Sequence, residues 1–335
     1  MIKVGIVGYG YWGPNLVRNF SLLDTCRVSM LADFRKERLD LVNKMYPAIK
    51  TTTSPDELIN SAEADAVIIA TPVFTHFALA KQALLAGKHV LLEKPMTATV
   101  AEAEELINLA EQKQKVLMVD HTFLYTGAVK KMKEMIESGE IGKVKYFDST
   151  RINLGLFQPD VNVLWDLAPH DISILQFLVK EKPYSVNATG VSHTKNGIEN
   201  IAYFTVNYQS DFIAHFNCSW TSPLKIRMTL IGGDKKMLVF NDIEPTEKIK
   251  VYDTGYDYKT DEEKNRLLID YRTGDIYIPK LEMKEALSGM AADFIHSIIK
   301  GQKPLSNATL GLDVIKILEA SQQSIKNKGK EIILN

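Results

Sequence analysis

Cysteine is nearly absent: Cys26 and Cys218 are the only two in 335 residues. They lie far apart and neither stands in a metal-ligand spacing, which excludes a disulfide scaffold and a structural zinc site and points to a reducing, cytoplasmic setting. An excess of one charge is also missing. Forty basic and 41 acidic side chains leave a formal charge of -1, so no long-range field gathers nucleic acid. No apolar run approaches the about 18 residues of a membrane span, which argues against membrane insertion. The opening MIKVGIVGYG enters an apolar run at once, without the basic leader and cleavage site of an export signal. Neither a short repeat nor a low-complexity block is present. What remains, 45% hydrophobic and 24% charged residues, suits a soluble globular protein, and the length exceeds one ordinary core, so two domains are expected.

The first third alternates short apolar runs with longer helical patterns. Strands are predicted at 2–8, 28–34, 65–71, 89–94 and 116–121, rich in Val, Ile and Leu and without polar alternation, as in strands covered on both faces. Helices are predicted at 15–23, 36–45, 74–86 and 100–111. Strand and helix taking turns is the pattern of a doubly wound parallel sheet. Near residue 122 the pattern changes. A helix at 128–138 precedes a strand at 142–153, a helix at 169–179 opened by Pro169, and four extended segments at 185–193, 200–208, 211–220 and 225–232. Their alternation predicts an antiparallel sheet with one helix-covered face, an α+β domain. Residues 241–280, with KTDEEKNR and RTGD, read as surface loops around short strands. Helices return at 284–300 and 310–327.

The motif Gly8-Tyr9-Gly10-Tyr11-Trp12-Gly13 follows the first strand and opens a helix. Its glycines allow a tight turn and let backbone N–H groups approach a pyrophosphate at the helix's positive end. A glycine-rich turn alone can be architectural. Here Asp33 stands twenty residues beyond Gly13, at the end of the second strand, where a carboxylate takes the ribose hydroxyls of NAD and repels the 2′-phosphate of NADP. Phe34 and Arg35 adjoin it, and Arg35 keeps NADP open. Thr71 and Pro72 form a cofactor-facing wall after the third strand, with His76 satisfying either local backbone or a cofactor edge.

The run HVLLEKPM delivers Glu93, Lys94 and Pro95 to the carboxyl edge of the same sheet. Pro95 biases Lys94 away from helical conformation. A lysine held there can bind a substrate hydroxyl and favour its ionised character as hydride departs, while Glu93 compensates its charge or holds a cofactor edge. The other reading is an exposed Glu-Lys pair beside a turn; the nucleotide fingerprint favours the first. In NVLWDLAPHDISILQFL, Trp165, Asp166, His170 and Asp171 fall at a loop-to-helix junction. Asp166 and His170 either converge as a carboxylate-oriented proton acceptor, or Asp166 caps the helix and His170 is a first-turn surface residue. His121, after Asp120, either faces substrate or braces a hinge. His193 and His215 read as sheet-surface residues. No set of histidines and carboxylates has metal spacing, so no metal is expected. Arg151, Lys225 and Arg227 are cations able to meet an acidic substrate or a diphosphate, and Trp165, Tyr11 and Trp12 offer apolar contact near a cofactor.

GYGYWG, the Ala32-Asp33 pair, Ala70-Thr71-Pro72, Glu93-Lys94-Pro95 and DLAPHD (166–171) together resemble the glucose-fructose oxidoreductase, inositol dehydrogenase and rhizopine-catabolism family of nicotinamide-dependent sugar and polyol oxidoreductases. The resemblance implies a Rossmann domain over 1–121 and, over 122–335, a substrate-binding and oligomerisation domain on an open antiparallel sheet; the last helix either stays with the second domain or folds back on the first. It further implies a sugar bound between the domains and a homodimer or homotetramer joined through the sheets. Lys94 is similar to the family's catalytic lysine, and Asp166 and His170 to its aspartate-histidine pair, with His170 the general base. GYGYWGPNLVRNF and VLWDLAPHDISIL resemble the branch that acts on nucleotide-linked amino sugars. That implies NAD-dependent oxidation of UDP-N-acetylglucosamine at its C3 hydroxyl, the 3-keto sugar passing to an aminotransferase in lipopolysaccharide or lipid A assembly. A relative acting on the corresponding glucuronic acid often carries asparagine at the position of Asp166, and like charges would meet there. The alternatives are that glucuronate, a free sugar or inositol as substrate, or a cofactor-binding regulator without turnover.

Overall fold

The computed structural model describes residues 1–155, 157–158, 160–257 and 270–334. They form two compact units, Met1–Thr126 with Lys284–Lys316, and Gly127–Met283 with Ile317–Asn335.

The first unit is built on strands β1 (Ile2–Val7), β2 (Cys26–Ala32), β3 (Lys50–Thr52), β4 (Ala66–Ile69), β5 (His89–Leu92) and β6 (Leu117–Val119). All pair in parallel, in the order β3-β2-β1-β4-β5-β6. Val4, Ile6, Val67, Val90 and Leu91 are wholly buried, as the unbroken apolar runs require when helices cover both faces. Those helices include α1 (Gly13–Ser21), α2 (Lys36–Met45), α3 (Pro55–Asn60), α4 (His76–Leu85) and α5 (Val100–Gln112). Thr99 and Glu102 close a capping box on α5, which sets its first turn. Strand order reverses at β1 and β4, and their carboxyl ends therefore face a crevice where ligands bind in such sheets. Sequence reading passed over β3 and α3: KTT is a three-residue polar edge strand with no apolar run to mark it.

The second unit begins with α6 (Gly127–Glu137), β7 (Val144–Leu154), α7 (Val163–Leu178), β8 (Ser185–Val191), β9 (Ile201–Asn207), β10 (Ile213–Ser219) and β11 (Thr221–Gly233). It continues with β12 (Met237–Asn241), β13 (Ile249–Tyr252), a separate β14–β15 hairpin-like pair (Gly255–Asp257 and Asp270–Arg272), and β16 (Ile276–Tyr277). The KTDEEKNR segment lies outside the described residues. Helix α8 (Ala286–Lys300) belongs to the first unit, where Phe294 meets Phe20 edge-on and Arg18 pairs with Glu285. Helix α9 (Ala308–Lys326) is shared by the two units, and β17 (Ile332–Ile333) closes the chain.

Nine strands form the second unit's sheet, ordered β16-β13-β12-β11-β7-β10-β9-β8-β17. Period-two alternation sorts its faces: Phe147, Phe204 and Phe216 are buried, while Tyr146, Tyr203 and Ile213 are exposed. Helix α7 lies against β7, β9 and β10 on the buried side. The sheet is open and mostly antiparallel, with one departure from the expected pattern. Strands β7 and β10 run parallel, because a helix and two strands intervene between them and carry the chain back to enter β10 in the direction of β7.

Helix α7 begins six residues before its predicted start. Asn162 caps it, its Oδ1 accepting the Trp165 N–H at 3.1 Å, and Pro169 sits inside it rather than at its first turn. Proline inside a helix leaves the carbonyl four residues back without its donor, here that of Trp165. Asp166 is therefore not the helix cap.

Candidate active site

At the carboxyl edge of the first unit, Gly8 has φ 101°, and a Cβ there would stand 2.4 Å from the Ala70 carbonyl oxygen. Only glycine fits both conditions. Helix α1 opens at Trp12 without a side-chain cap, so its first N–H groups point outward as an anion site requires. Asp33, 5% exposed, holds the turn: its Oδ2 accepts the Tyr9 N–H at 2.8 Å and its Oδ1 the Arg35 N–H at 2.9 Å. The guanidiniums of Arg35 and Arg38 stand farther from the same carboxylate, at 3.4 and 3.5 Å. Arg38 was not singled out from sequence, although it lies one helical turn beyond Arg35. A cavity of about 290 Å³ is lined here by Gly8, Gly10, Asp33, Phe34, Arg35 and Thr71. Phe34 and Tyr11 are exposed, Trp12 is partly exposed and packs edge-on against Tyr11, and Arg35 lies over the Phe34 ring. A glycine that tolerates no Cβ, an uncapped helix start and a buried carboxylate at the end of β2 fit a dinucleotide. The residues that would hold it are Gly8 to Gly13, Asp33, Phe34 and Arg35, with Thr71 and Pro72 beside them.

His76 is a brace. It is 1% exposed, and its Nε2 and Nδ1 lie 2.8 and 2.9 Å from the carbonyl oxygens of Thr71 and Pro95. It thereby ties the loop after β4 to the loop after β5. Burial, with Lys94 nearby, outweighs these carbonyls and pushes its pKa down, so the ring is neutral and donates to one of them.

Beyond β5 and β6 lies a polar cluster. Glu93 and Asp120 are 8% and 4% exposed. Burial first and then Asp120 push the Glu93 carboxyl well above the usual range, against Lys94. Burial raises Asp120 to about 6, opposed by the Thr122 hydroxyl that donates to it and by Lys94. His121 is 1% exposed, and burial and then Lys94 push it down to about 3. Glu93 Oε1 and both ring nitrogens of His121 have no hydrogen-bond partner among the described residues. Lys94 itself is half-buried. His121, anticipated either to face substrate or to brace a hinge, is thus a buried neutral ring whose backbone N–H meets Ser306 Oγ at 3.4 Å.

A carboxyl whose folded-state pKa is raised binds its proton more tightly folded than unfolded, so its contribution to stability is lost as pH rises from the ordinary aspartate range through the raised value. Asp120→Asn removes that loss. The variant is expected to gain on wild type in thermal or urea unfolding as pH rises from about 4 to about 6, the gain approaching about 3 kcal/mol. His121 titrates with the opposite sign and is common to both proteins, so it cancels in the difference; Glu93, which Asp120 pushes up, is relieved in the variant and adds to the gain with the same sign. A difference independent of pH would contradict the raised value.

In the second unit, α7 presents three residues together. Between residues 163 and 175 only Trp165, Asp166 and His170 escape full burial. Asp166 and His170 are four apart, which puts both on one helix face. Asp166 Oδ2 accepts the indole Nε1–H of Trp220 at 3.0 Å. Trp220 was not foreseen: a buried indole seeks an acceptor, but the acceptor stands 54 residues away. Arg151, a candidate substrate cation on sequence, is 3% exposed, and its Nε and Nη2 donate to the two carboxylate oxygens of Asp171 at 2.8 and 2.7 Å. This pair joins β7 to α7 beside His170. Arg227 pairs with Asp242 at 3.2 Å, and Lys225 is exposed. His193 meets Asn200, and His215 meets Asp148 on the sheet.

Breaking a buried pair strands the remaining charge. Arg151→Met is therefore expected to destabilise the protein by about 3–5 kcal/mol in urea unfolding, with the double change Arg151→Met and Asp171→Leu recovering most of the loss. A loss below about 1 kcal/mol would mean that the pair does not anchor α7.

Among the described residues no group of three His, Cys, Asp or Glu side chains is arranged to hold a metal ion, and no helix is long and apolar enough to cross a membrane.

Residues 2–121 match the oxidoreductase family with an NAD-binding Rossmann fold, and residues 129–239 match the GFO/IDH/MocA C-terminal domain. The chain belongs to the GFO/IDH/MocA family. It is 30% identical over 194 residues to UDP-N-acetylglucosamine 3-dehydrogenase of Acidithiobacillus ferrooxidans, covering 57% of this chain and 58% of that protein. Against scyllo-inositol 2-dehydrogenase (NADP(+)) of Bacillus subtilis it is 26% identical over 349 residues, covering 98% and 94%. The chain spans about half the length of the first curated relatives it matches, such as 51% of the oxidoreductase YdgJ of Escherichia coli. The solved structure of the Acidithiobacillus enzyme has a TM-score of 0.82 at 23% identity, covering 97% of this chain and 98% of that one; at that identity the likeness is one of fold.

Proposed function

We propose that this chain is a nicotinamide-dependent dehydrogenase that oxidises the C3 hydroxyl of a nucleotide-linked amino sugar, UDP-N-acetylglucosamine before others. The observation that carries the reading is the polar face of α7, where Asp166 and His170 stand half-accessible while, Trp165 apart, the other residues from 163 to 175 are buried. Asp166 satisfies the Trp220 indole with one oxygen, but that bond does not account for a half-accessible histidine one turn along the same face. In the reaction, His170 takes the hydroxyl proton, Asp166 orients it, and the Lys94 ammonium stabilises negative charge growing on the oxygen. When bound, the nicotinamide ring supplies the hydride acceptor. The buried Asp33 carboxylate favours NAD, and Arg35 and Arg38 at its flank allow NADP.

The charges of the second unit support an uncharged sugar ring. Of the three cations singled out from sequence, Arg151 and Arg227 are engaged by Asp171 and Asp242 and Lys225 is exposed toward solvent, able to meet a diphosphate, while a sugar carboxylate beside Asp166 would meet like charge. The named activity of the Acidithiobacillus relative supports the same choice. A free polyol is the second reading, favoured by the nearly full-length likeness to an inositol dehydrogenase. We further propose that residues 122–335 supply substrate binding and that the exposed sheet face bearing Tyr146, Tyr203 and Ile213 joins copies into a homodimer or homotetramer. The two free cysteines suit the cytoplasm. A 3-keto sugar made here would pass to an aminotransferase of lipopolysaccharide or lipid A assembly.

The test is reduced-cofactor formation with NAD and NADP against UDP-sugars, free sugars and inositols, with the ketone trapped as it forms. Turnover is expected to be fastest with UDP-N-acetylglucosamine. Fast turnover of myo-inositol with none of UDP-N-acetylglucosamine overturns the substrate, and cofactor binding without turnover on any of them makes the chain a regulator.

A further inference from the structure

The indole of Trp220 is held more firmly than core packing requires. It follows the last residue of β10, is 1% exposed, and its single polar atom donates to Asp166 Oδ2 at 3.0 Å. Its backbone is fixed on both sides: the Trp220 N–H donates to the Asn200 carbonyl and the Trp220 carbonyl accepts from Gly155, each at 3.0 Å. Gly155 itself approaches so closely that a Cβ would stand 2.8 Å from indole Cδ1. The ring of Phe157 closes another side, with centroids 5.6 Å apart. The indole therefore has no room to turn its N–H elsewhere.

An indole N–H is a donor only, and a carboxylate that accepts it is fixed in rotation about its last torsion. Asp166 Oδ2 is thereby committed, which fixes the orientation of the carboxylate on the helix face it shares with His170, four residues along. Bonds of this kind to a charged acceptor are about twice as strong as neutral ones, which suits a group that must keep one orientation through a reaction.

Resting on the function proposed above, we propose that Trp220 is a positioning residue: its indole N–H fixes the rotation of the Asp166 carboxylate on the face of α7 that it shares with His170.

The test combines turnover and spectroscopy on the full chain. Trp220→Phe deletes the donor and keeps most of the ring; it is expected to lower kcat about tenfold or more with little change in cofactor affinity. In an Asp166→Ala background the same change is expected to cost less than about twofold, since residues acting as one unit are not additive. Independently of turnover, the three tryptophans give three indole N–H resonances. The one retained in both Trp12→Phe and Trp165→Phe is expected to move and to exchange faster with solvent in Asp166→Ala, a measurement that stands even where Trp220→Phe folds poorly. Equal losses in both backgrounds, a Trp220→Phe variant as fast as wild type, or an indole resonance indifferent to Asp166→Ala overturns the proposal. A wild-type chain inert toward every sugar overturns the functional reading and any catalytic purpose of the bond with it. An active wild type beside an undiminished Trp220→Phe variant overturns only the positioning role.

Discussion

Lys94→Ala is expected to lower kcat by about a thousandfold or more while leaving cofactor affinity within about threefold. The side chain leaves β5 at the carboxyl edge of the parallel sheet, held by a loop that His76 ties to its neighbour through the carbonyls of Thr71 and Pro95. Its surroundings are built for one cation. Burial and then Asp120 push the Glu93 carboxyl up, while burial and then Lys94 push His121 down and keep its ring neutral. A positive charge at a half-buried site is worth more than in water, and in the proposed reaction it acts on the alkoxide rather than on the alcohol, so the loss is expected in kcat instead of KM. Lys94→Arg is expected to recover little, because the planar fork cannot occupy the place of a compact ammonium. Steady-state kinetics and cofactor titration check both variants; a Lys94→Ala enzyme within tenfold of wild type would remove the lysine from the reaction.

His170→Ala is expected to cost about a hundredfold to ten thousandfold in kcat, the usual range for deleting a general base. Added imidazole is expected to return part of it, since the cavity left is the size of the missing ring. His170 lies on the accessible face of α7, its carbonyl accepting the Ser173 hydroxyl at 2.7 Å and its neighbour Asp171 bound to Arg151, so the backbone that carries it is independent of the ring. A variant with normal thermal stability and undiminished turnover would assign the proton to another group.

Much of this was readable before any coordinates. The parallel sheet showed in its Val, Ile and Leu runs, and the nucleotide turn in its glycines and Asp33, because strand burial and phosphate approach impose local patterns. Helix α7 shows where a local rule misleads. Proline at a first turn is a sound default, but Asn162 seven residues earlier supplies a cap, and tertiary burial of the helix overrides the cost of Pro169. Arg151 illustrates a signal available but not used. Phe147, Ser149 and Arg151 share one side of β7, and all three are buried, so strand parity alone points the guanidinium inward, where it needs a carboxylate. Trp220 and Asp166 could not have been joined from sequence, since their bond depends on how a sheet corner meets a helix and no periodicity spans that interval. The cluster of Glu93, Asp120 and His121 was visible as residues; its protonation follows from burial, which composition does not reveal.

The central claim is that hydride leaves one defined sugar carbon for the nicotinamide. Deuterium at C3 of UDP-N-acetylglucosamine tests it directly: incubated with the protein and NAD, the label is expected in the reduced nicotinamide, with a ketone at C3 of the trapped product. Reduced cofactor without deuterium, or an unlabelled sugar carbon oxidised in its place, would contradict the account.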